Sequence, residues 1–408
     1  MTTVQQPLAT RKLGGRRADI WLAAWPLTAV FMLSNAPTPL FVLWQHRIGF
    51  ATGTLTVVFA TYIGGLLLAL PVAGVLSDRY GRRTVLFPAV LLALTACLLY
   101  ATAASVAALL TARLLTGLAV GGTVAAGMAA VADVGGPERR RQASLAGSVA
   151  MGTGLATGPL LAGCVAQLLP APTVTVFVLE AALLVSALLV IRSLPGVRRH
   201  GAGDSWLRLP SVPRPNRRDL LLSLAAYMPG MTGTSFLLAL GPSVLAELLG
   251  TANRIVSGGS AFVMFGASTG VQFLVSRWRP RRLLTTATAA TGAGMVLVVL
   301  AVHFSSIGLL LTAGVLAGTG QGMGQLGGFS ILNSRVPTAR LAEANAALSA
   351  WGYLFAGILP VCTGYLTDAT GMGSSVTLLG LVVAAAAGAG ALVVTRLATG
   401  CTGQPVPR

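Results

Sequence analysis

Charge is what this sequence has least of. Only 9% of its 408 residues are Asp, Glu, Lys or Arg, where a soluble domain carries about a quarter. So few charges cannot cover a water-facing surface of this size. With 54% apolar residues and a mean hydropathy of +0.79, soluble, disordered and collagen-like chains are all excluded. Acids are rarer still, 10 against 28 basic residues, and lysine is almost missing, Lys12 standing alone among arginines. That bias, with the abundance of Ala and Gly, reads as the product of a GC-rich bacterial genome. Aromatics make up 6% and do not interleave with the arginines, which sit in short clusters between apolar runs. The net charge of +18 therefore does not mark a nucleic-acid surface. The four cysteines, Cys97, Cys164, Cys362 and Cys401, show no C-x-x-C spacing and form no disulfide framework. His46, His200 and His303 are scattered over separate loops, with no metal-ligand spacing and no nucleophile motif. The reading therefore carries no metal, no cofactor and no catalytic centre, and the chain is not read as an enzyme.

What the chain has in abundance is long apolar runs. A helix crossing hydrocarbon needs about 20 such residues, and the runs fall at 20–43, 55–76, 85–103, 107–131, 142–166, 173–193, 219–245, 255–276, 283–302, 307–331, 343–366 and 376–396. The first is too long for a signal-peptide core and lacks a clean cleavage site, so it reads as a span. An even number of spans puts both termini on one side. All basic residues except Arg47, Arg113 and Arg254 fall in the N-terminal arm (1–19), the even-to-odd loops, the tail (397–408) or, for Arg192 and Arg396, the last residues of the spans leading into them. Basic loops stay inside, so the termini are expected in the cytoplasm. Trp21, Trp44 and Trp278 sit near span ends, where interfacial aromatics belong. The stretch from Leu194 to Arg218, rich in Pro, Gly and Arg, reads as a cytoplasmic linker between bundles at 20–193 and 219–396. "WLRL" inside it reads as irregular chain or a short interfacial helix.

The two bundles read as copies. "SVAALLTARLLTGLAVGG" from Ser105 aligns with "SIGLLLTAGVLAGTGQGM" from Ser306, an offset of 201 that also carries Gly117 onto Gly318, Gly121 onto Gly322, Pro159 onto Pro360 and Gly163 onto Gly364. The fold expected is an all-α membrane protein of twelve transmembrane helices in two pseudo-symmetric six-helix bundles. Repeated halves can rock about a shared central site, an arrangement that suits a carrier.

Three stretches carry a family resemblance. "GVLSDRYGRR", Gly74 to Arg83, fits the G-x-L-x-D-R-x-G-R-R/K signature of the major facilitator superfamily. Arg113, Gly117 and Gly121 fit that family's R-x-x-x-G-x-x-x-G pattern, and "GLATGPLLAG", Gly154 to Gly163, fits its G-x-x-x-G-P-x-x-x-G antiporter motif. The chain most resembles the twelve-helix drug/proton antiporters. In the second half "VSRWRPRRLL" keeps the arginines but has Arg277 where the acid belongs and Pro280 for the second glycine, so only the positive-inside role is expected there.

The resemblance implies a gating cluster at Gly74, Asp78, Arg79, Gly81, Arg82, Arg83 and Asp133. The two glycines are read as allowing close helix approach and a tight turn. Asp78 is placed near Arg82 and the start of the eleventh span, in a clamp made when the protein faces outward and broken when it faces inward. Arg113 and Glu180, the ionisable residues deep in spans, are candidates for proton coupling. Gly154, Gly158, Pro159 and Gly163 form the bent, small-residue helix. Arg113 snorkelling outward, Glu180 as a structural acid on a peripheral helix and the glycines as ordinary packing are the alternatives. Asn35, Thr38 (between Pro37 and Pro39), Tyr227, Met231, Phe236, Gln321, Gln325, Trp351 and Phe355 are read as cavity residues, each with a lipid-facing alternative. Met, aromatics and a few amides suit bulky amphipathic molecules. The function expected is proton-driven efflux of a drug, antibiotic or secreted metabolite by a monomer in the cell membrane. Metabolite uptake on the same fold is the alternative.

Overall fold

The computed structural model describes residues 17–194, 211–251 and 253–399, apart from the side chains of residues 338–339 and 397–399. The N-terminal arm before Arg17, "WLRL" with most of the linker, and Cys401 lie outside the described residues. Those described are helical, with no strand among them. The first crossing is split into α1 (Arg17–Asn35) and α2 (Phe41–Ile48). There follow α3 (Thr52–Tyr80), α4 (Arg82–Ala101), α5 (Val106–Gly135), α6 (Arg140–Leu168) and α7 (Pro172–Ser193). The second bundle holds α8 (Arg217–Glu247), α9 (Arg254–Leu274), α10 (Pro280–His303), α11 (Ile307–Arg335), α12 (Thr338–Thr370) and α13 (Met372–Thr399).

Twelve crossings result among the described residues, and all but α9 are long and apolar enough to span by composition alone. The exception is explained by its sequence, in which Ser257, Ser260 and Ser268 alternate with glycines. Helices run past their apolar cores. The charged stretch after Gly74 is not a loop: α3 continues through Asp78 to Tyr80, and α4 begins at Arg82. The single residue between them, Gly81, has φ +99°, which an L side chain rarely adopts.

The repeat is visible in local chemistry. Ser105 Oγ accepts from Ala108 N at 3.3 Å to start α5, and Ser306 Oγ accepts from Leu309 N at 3.4 Å to start α11, the same N-cap in both bundles. A Cβ on Gly117 would strike the Tyr62 carbonyl of α3, and one on its counterpart Gly318 would strike the Met264 carbonyl of α9. Gly121 and Gly322 repeat the arrangement a turn later, against Leu66 O and Ser268 O. Small residues let membrane helices pack backbone to backbone, where no hydrophobic force draws them together.

Two seams join the bundles, α6 on α9 and α3 on α12. Along the first, Gly152 lies against Thr269, Gly258 against the Pro159 carbonyl and Gly163 against the Arg254 carbonyl. Along the second, Gly357 meets Ile63, Gly364 meets Thr56 and Gly53 meets Tyr365 and Asp368. Both sets run from mid-helix to the face opposite the arginine clusters, which is therefore sealed.

The packing gives a direct expectation. Gly117→Ala and Gly318→Ala should each destabilise the protein by about 1–3 kcal/mol through overpacking, read as a lower melting temperature in detergent. Gly266→Ala, with open space at its Cβ, should be neutral or stabilising.

Candidate functional site

The first span breaks because of its sequence. Pro37 and Pro39 have no N–H to donate to the carbonyls of Leu33 and Asn35, so α1 stops at Asn35 and a 3-10 turn, Thr38–Leu40, leads into α2. Arg113 of α5 docks there. It is fully buried, its Nη1 donates to Ser34 O at 2.8 Å, and its guanidinium stacks over Phe41 at 4.7 Å, with Phe59 and Tyr62 at 5.7 and 5.8 Å. These rings hold a cation by their negative faces. Nε and Nη2 of Arg113 have no hydrogen-bond partner among the described residues. Arg113 is therefore not at the outer end snorkelling; it is an enclosed cation with two donors to spare.

Beside the break lies a cavity between the first span and the second bundle, lined by Thr38, Leu237, Pro242, Ser257, Met264 and Gly314. Thr38 Oγ1, Ser257 Oγ and Asn35 Nδ2 are buried without hydrogen-bond partners among the described residues. Gly314 is the repeat mate of Arg113, so where the first bundle sets an arginine the second leaves room. Deeper in the second bundle, Gln321 Nε2 donates to Met231 Sδ at 3.2 Å, and Ser268 Oγ to Gln321 Oε1 at 3.5 Å. Gly230 lets α8 approach the Gln321 backbone. Tyr227 packs over Gly352 and edge-on to Phe329, with ring centroids 6.2 Å apart.

The other expected cavity residues scatter. Phe236 is buried in the apolar core and Gln325 is half-buried. Phe355, also half-buried, leans toward Trp351, with ring centroids 6.4 Å apart. Trp351 is 47% exposed, on one stripe of α12 with Leu354, Ile358 and Tyr365. That spacing is a single helix face, away from Tyr227 and Gln321, and matches the lipid-facing alternative.

Glu180 is fully buried, and neither oxygen has a hydrogen-bond partner among the described residues. Its helix α7 packs on α1, α4 and α6, all of the first bundle. One turn toward the sealed face, Phe177 stacks on Tyr100 at 4.8 Å and Trp44 at 5.9 Å. Tyr100 in turn lies 3.3 Å from Thr116. An aromatic layer thus separates Glu180 from the Arg113 pocket.

At the arginine-rich face Arg82 gathers both acids: Nη1 lies 2.6 Å from Asp78 Oδ1, and Nε 3.1 Å from Asp133 Oδ2. Arg83 Nη2 donates to Arg192 O at 2.7 Å, tying α4 to α7. These contacts join α3, α4, α5 and α7 of the first bundle and stand while the opposite face is sealed. The start of the eleventh span, where Asp78 was expected to reach, has its Thr338 and Ala339 side chains outside the described set. Arg79 is half-buried on the last turn of α3. Gly74 has nothing within 4 Å of its Cβ position, so close helix approach is not its role here. In the antiporter-like stretch, Gly154 and Gly158 press on the backbone of α1 while Pro159 and Gly163 press on α9. Ser34, Phe41, Phe59, Tyr62, Ser257 and Ser268 were not anticipated. The pairing of Arg113 with a proline break was the one signal that pointed toward the first four.

Comparison with known proteins agrees with this architecture. The family model described as "Major Facilitator Superfamily" matches residues 21–272. Over 141 residues the chain is 34% identical to the human "Major facilitator superfamily domain-containing protein 10", a match covering 31% of each chain. Among solved structures, a bacterial homolog of the human lysosomal transporter Spinster, inward-facing and unoccupied, aligns with TM-score 0.75 at 15% identity over 96% of this chain and 99% of that one. The nucleoside transporter NupG aligns with TM-score 0.68 at 13% identity over 93% and 98%. A POT family transporter in complex with 5-aminolevulinic acid aligns with TM-score 0.75 at 11% identity over 97% and 100%.

A buried arginine with unused donors is a poor device for stability, and apolar replacements of buried charges are often neutral or better. Arg113→Met should therefore keep or raise the melting temperature of the purified protein.

Proposed function

The chain belongs to the Major Facilitator Superfamily and is a membrane transporter; on that premise we propose that it exports small amphipathic molecules by proton-coupled alternating access. The observation that carries the reading is Arg113: a fully buried cation with two unpartnered donors, held at a helix break beside a cavity between two pseudo-symmetric bundles. Such a site suits a molecule with an apolar body, to lie against Leu237 and Met264, and an acceptor group for the hydroxyls of Thr38 and Ser257. Arginine placement supports a cytoplasmic arginine-rich face. On that orientation the sealed face is external and the conformation is inward-facing.

Proton coupling is assigned to Arg113, with Glu180 as a buried acid whose protonation would act through the first bundle rather than in the cavity. The brace of Asp78, Arg82 and Asp133 keeps the first bundle rigid as it tilts, and the glycines of α6 supply a flat surface for that motion. The energy source is the proton gradient, the unit a monomer in the cell membrane. The directional Ser268–Gln321–Met231 chain supports a second reading, uptake of a polar metabolite on the same fold.

Everted membrane vesicles with an imposed proton gradient decide between them, using a panel of toxic amphipathic compounds. Accumulation that collapses with a protonophore is expected. Arg113→Ala should still bind substrate but lose the dependence on the gradient. Asp78→Asn, whose half-exposed ion pair is worth only about 0.2–1 kcal/mol to the fold, should transport at least about tenfold more slowly at normal membrane level, since a loosened bundle no longer moves as one body. Gradient-independent equilibration of every compound would overturn the exporter reading.

A further inference from the structure

At the sealed face each seam ends in a hydrogen bond from one bundle to the other. Asp368, near the end of α12, accepts from Thr52 N through Oδ1 at 2.9 Å and from Gly53 N through Oδ2 at 2.8 Å. It caps the first turn of α3, a helix of the opposite bundle. Gln167, near the end of α6, accepts through Oε1 from Arg254 N at 3.2 Å, the first residue of α9. The two contacts are copies, since an offset of 201 carries Gly53 onto Arg254 and Gln167 onto Asp368. Gly53 is required by the first, because a Cβ there would press on Asp368 Oδ2 and the Tyr365 ring.

The copies differ in chemistry. Asp368 brings a negative charge to a helix N-terminus, where free N–H groups and the helix dipole favour it, and its bonds are charge-assisted. Gln167 makes its bond as a neutral amide and cannot titrate; Arg254 adds a second tie there, Nη1 to Ala166 O at 3.0 Å.

We propose that Asp368 is the acid-sensitive half of a paired gate at this face: ionised, it ties α12 to α3; protonated, it lets the seam part, while Gln167 holds its own seam at any pH. Other charged or ionisable groups stand near Asp368. His46 and Arg47 end α2, and Glu247 ends α8 within electrostatic reach of both His46 and Asp368. The first turns of α3 and α13 bring no charge. A proton on Asp368 removes the charge and one acceptor, so acid opens the gate. If this face is external, as the exporter reading has it, acid outside exposes the pocket to the side where a proton-driven exporter must release cargo. The gate itself does not depend on what is carried.

The test is a distance measurement. Spin labels at Ala51 and Ala369, both exposed, are placed on the full chain with its four cysteines replaced, and the protein is studied in lipid nanodiscs. Pulsed electron resonance is recorded from about pH 7.5 to about pH 3, a window that passes well below free aspartate's reference value of about 3.9. The separated population should rise about fivefold or more relative to the closed one on acidification, the scale of losing a charge-assisted hydrogen bond. Asp368→Asn keeps an acceptor, as Gln167 does, and should stay mostly closed without responding to pH. Asp368→Ala should be open throughout. Gln167→Glu should add a second acid-sensitive step. The response should survive His46→Gln and Glu247→Gln. A wild-type distribution that ignores pH, a response that persists in Asp368→Asn, or one abolished instead by either of the last two variants would overturn the assignment. None of these outcomes bears on the exporter reading, which the vesicle assay decides.

Discussion

Everything in this molecule rests on how closely two helix backbones can approach where neither side offers a side chain. In hydrocarbon, apolar surface gains nothing by leaving lipid for protein, so association depends on contact distance and polar links. At Gly163 and Gly258 the α6 and α9 backbones touch at carbonyl oxygens, and at Gly364 the α12 backbone meets Thr56. Bulky residues would interlock ridge into groove and resist sliding. Glycine seams make a large contact that can also be undone. Within each bundle the same trick at Gly117 and Gly318 is backed by buried apolar layers on the helices' other faces. Between bundles it is backed by a few hydrogen bonds at one face. Separation is therefore easy only across the seams.

Symmetry supplies this frame, and departures from it supply the chemistry. Arg113 has Gly314 as its mate, so the cation appears once and the space for a ligand appears opposite. Asp368 has Gln167, so one closing contact carries charge and the other does not. Asp78 has Arg277 in the corresponding motif position, and the second bundle is fastened elsewhere, by Arg335 to Asp219 at 2.7 Å between α11 and α8. With 10 acids in the whole chain, each unmatched acid stands out once the repeat is aligned.

That explains what could be read in advance. Spans, linker and repeat are legible because hydrocarbon sets a length and duplication sets an offset. The Asp78–Arg82–Asp133 cluster is legible because charges so near a helix turn have few partners to choose from. The break at Asn35–Leu40 announces itself by its prolines. Which way a residue faces was not legible. These helices are apolar nearly all round, so polarity does not mark the inner side, and Trp351 and Glu180 were placed by type rather than by direction. Gly74 was read as a packing glycine, as its motif suggests, yet it opens on empty space. Asp368 was overlooked because its partners, Thr52 and Gly53, are contributed by backbone N–H groups, which no side-chain pattern reveals.

The contacts at the two faces divide the labour of a rocking motion. On the arginine-rich face the described polar ties hold helices of one bundle to each other or to the linker. Arg82 gathers the ends of α3 and α5, Arg83 reaches α7, Arg335 reaches α8, and Ser211 of the linker donates to Glu343 of α12 at 2.7 Å. On the sealed face Asp368, Gln167 and Arg254 bind across bundles. Two rigid bodies pivoting at a seam must keep the first kind of contact and exchange the second. A brace that broke during the cycle would let single helices drift and blur the two states. A latch that could not break would leave the pocket open to one side for good. The distribution of polar bonds thus matches the motion that the repeated bundles imply, with the ties of one face inside each body and a small set between the bodies at the other.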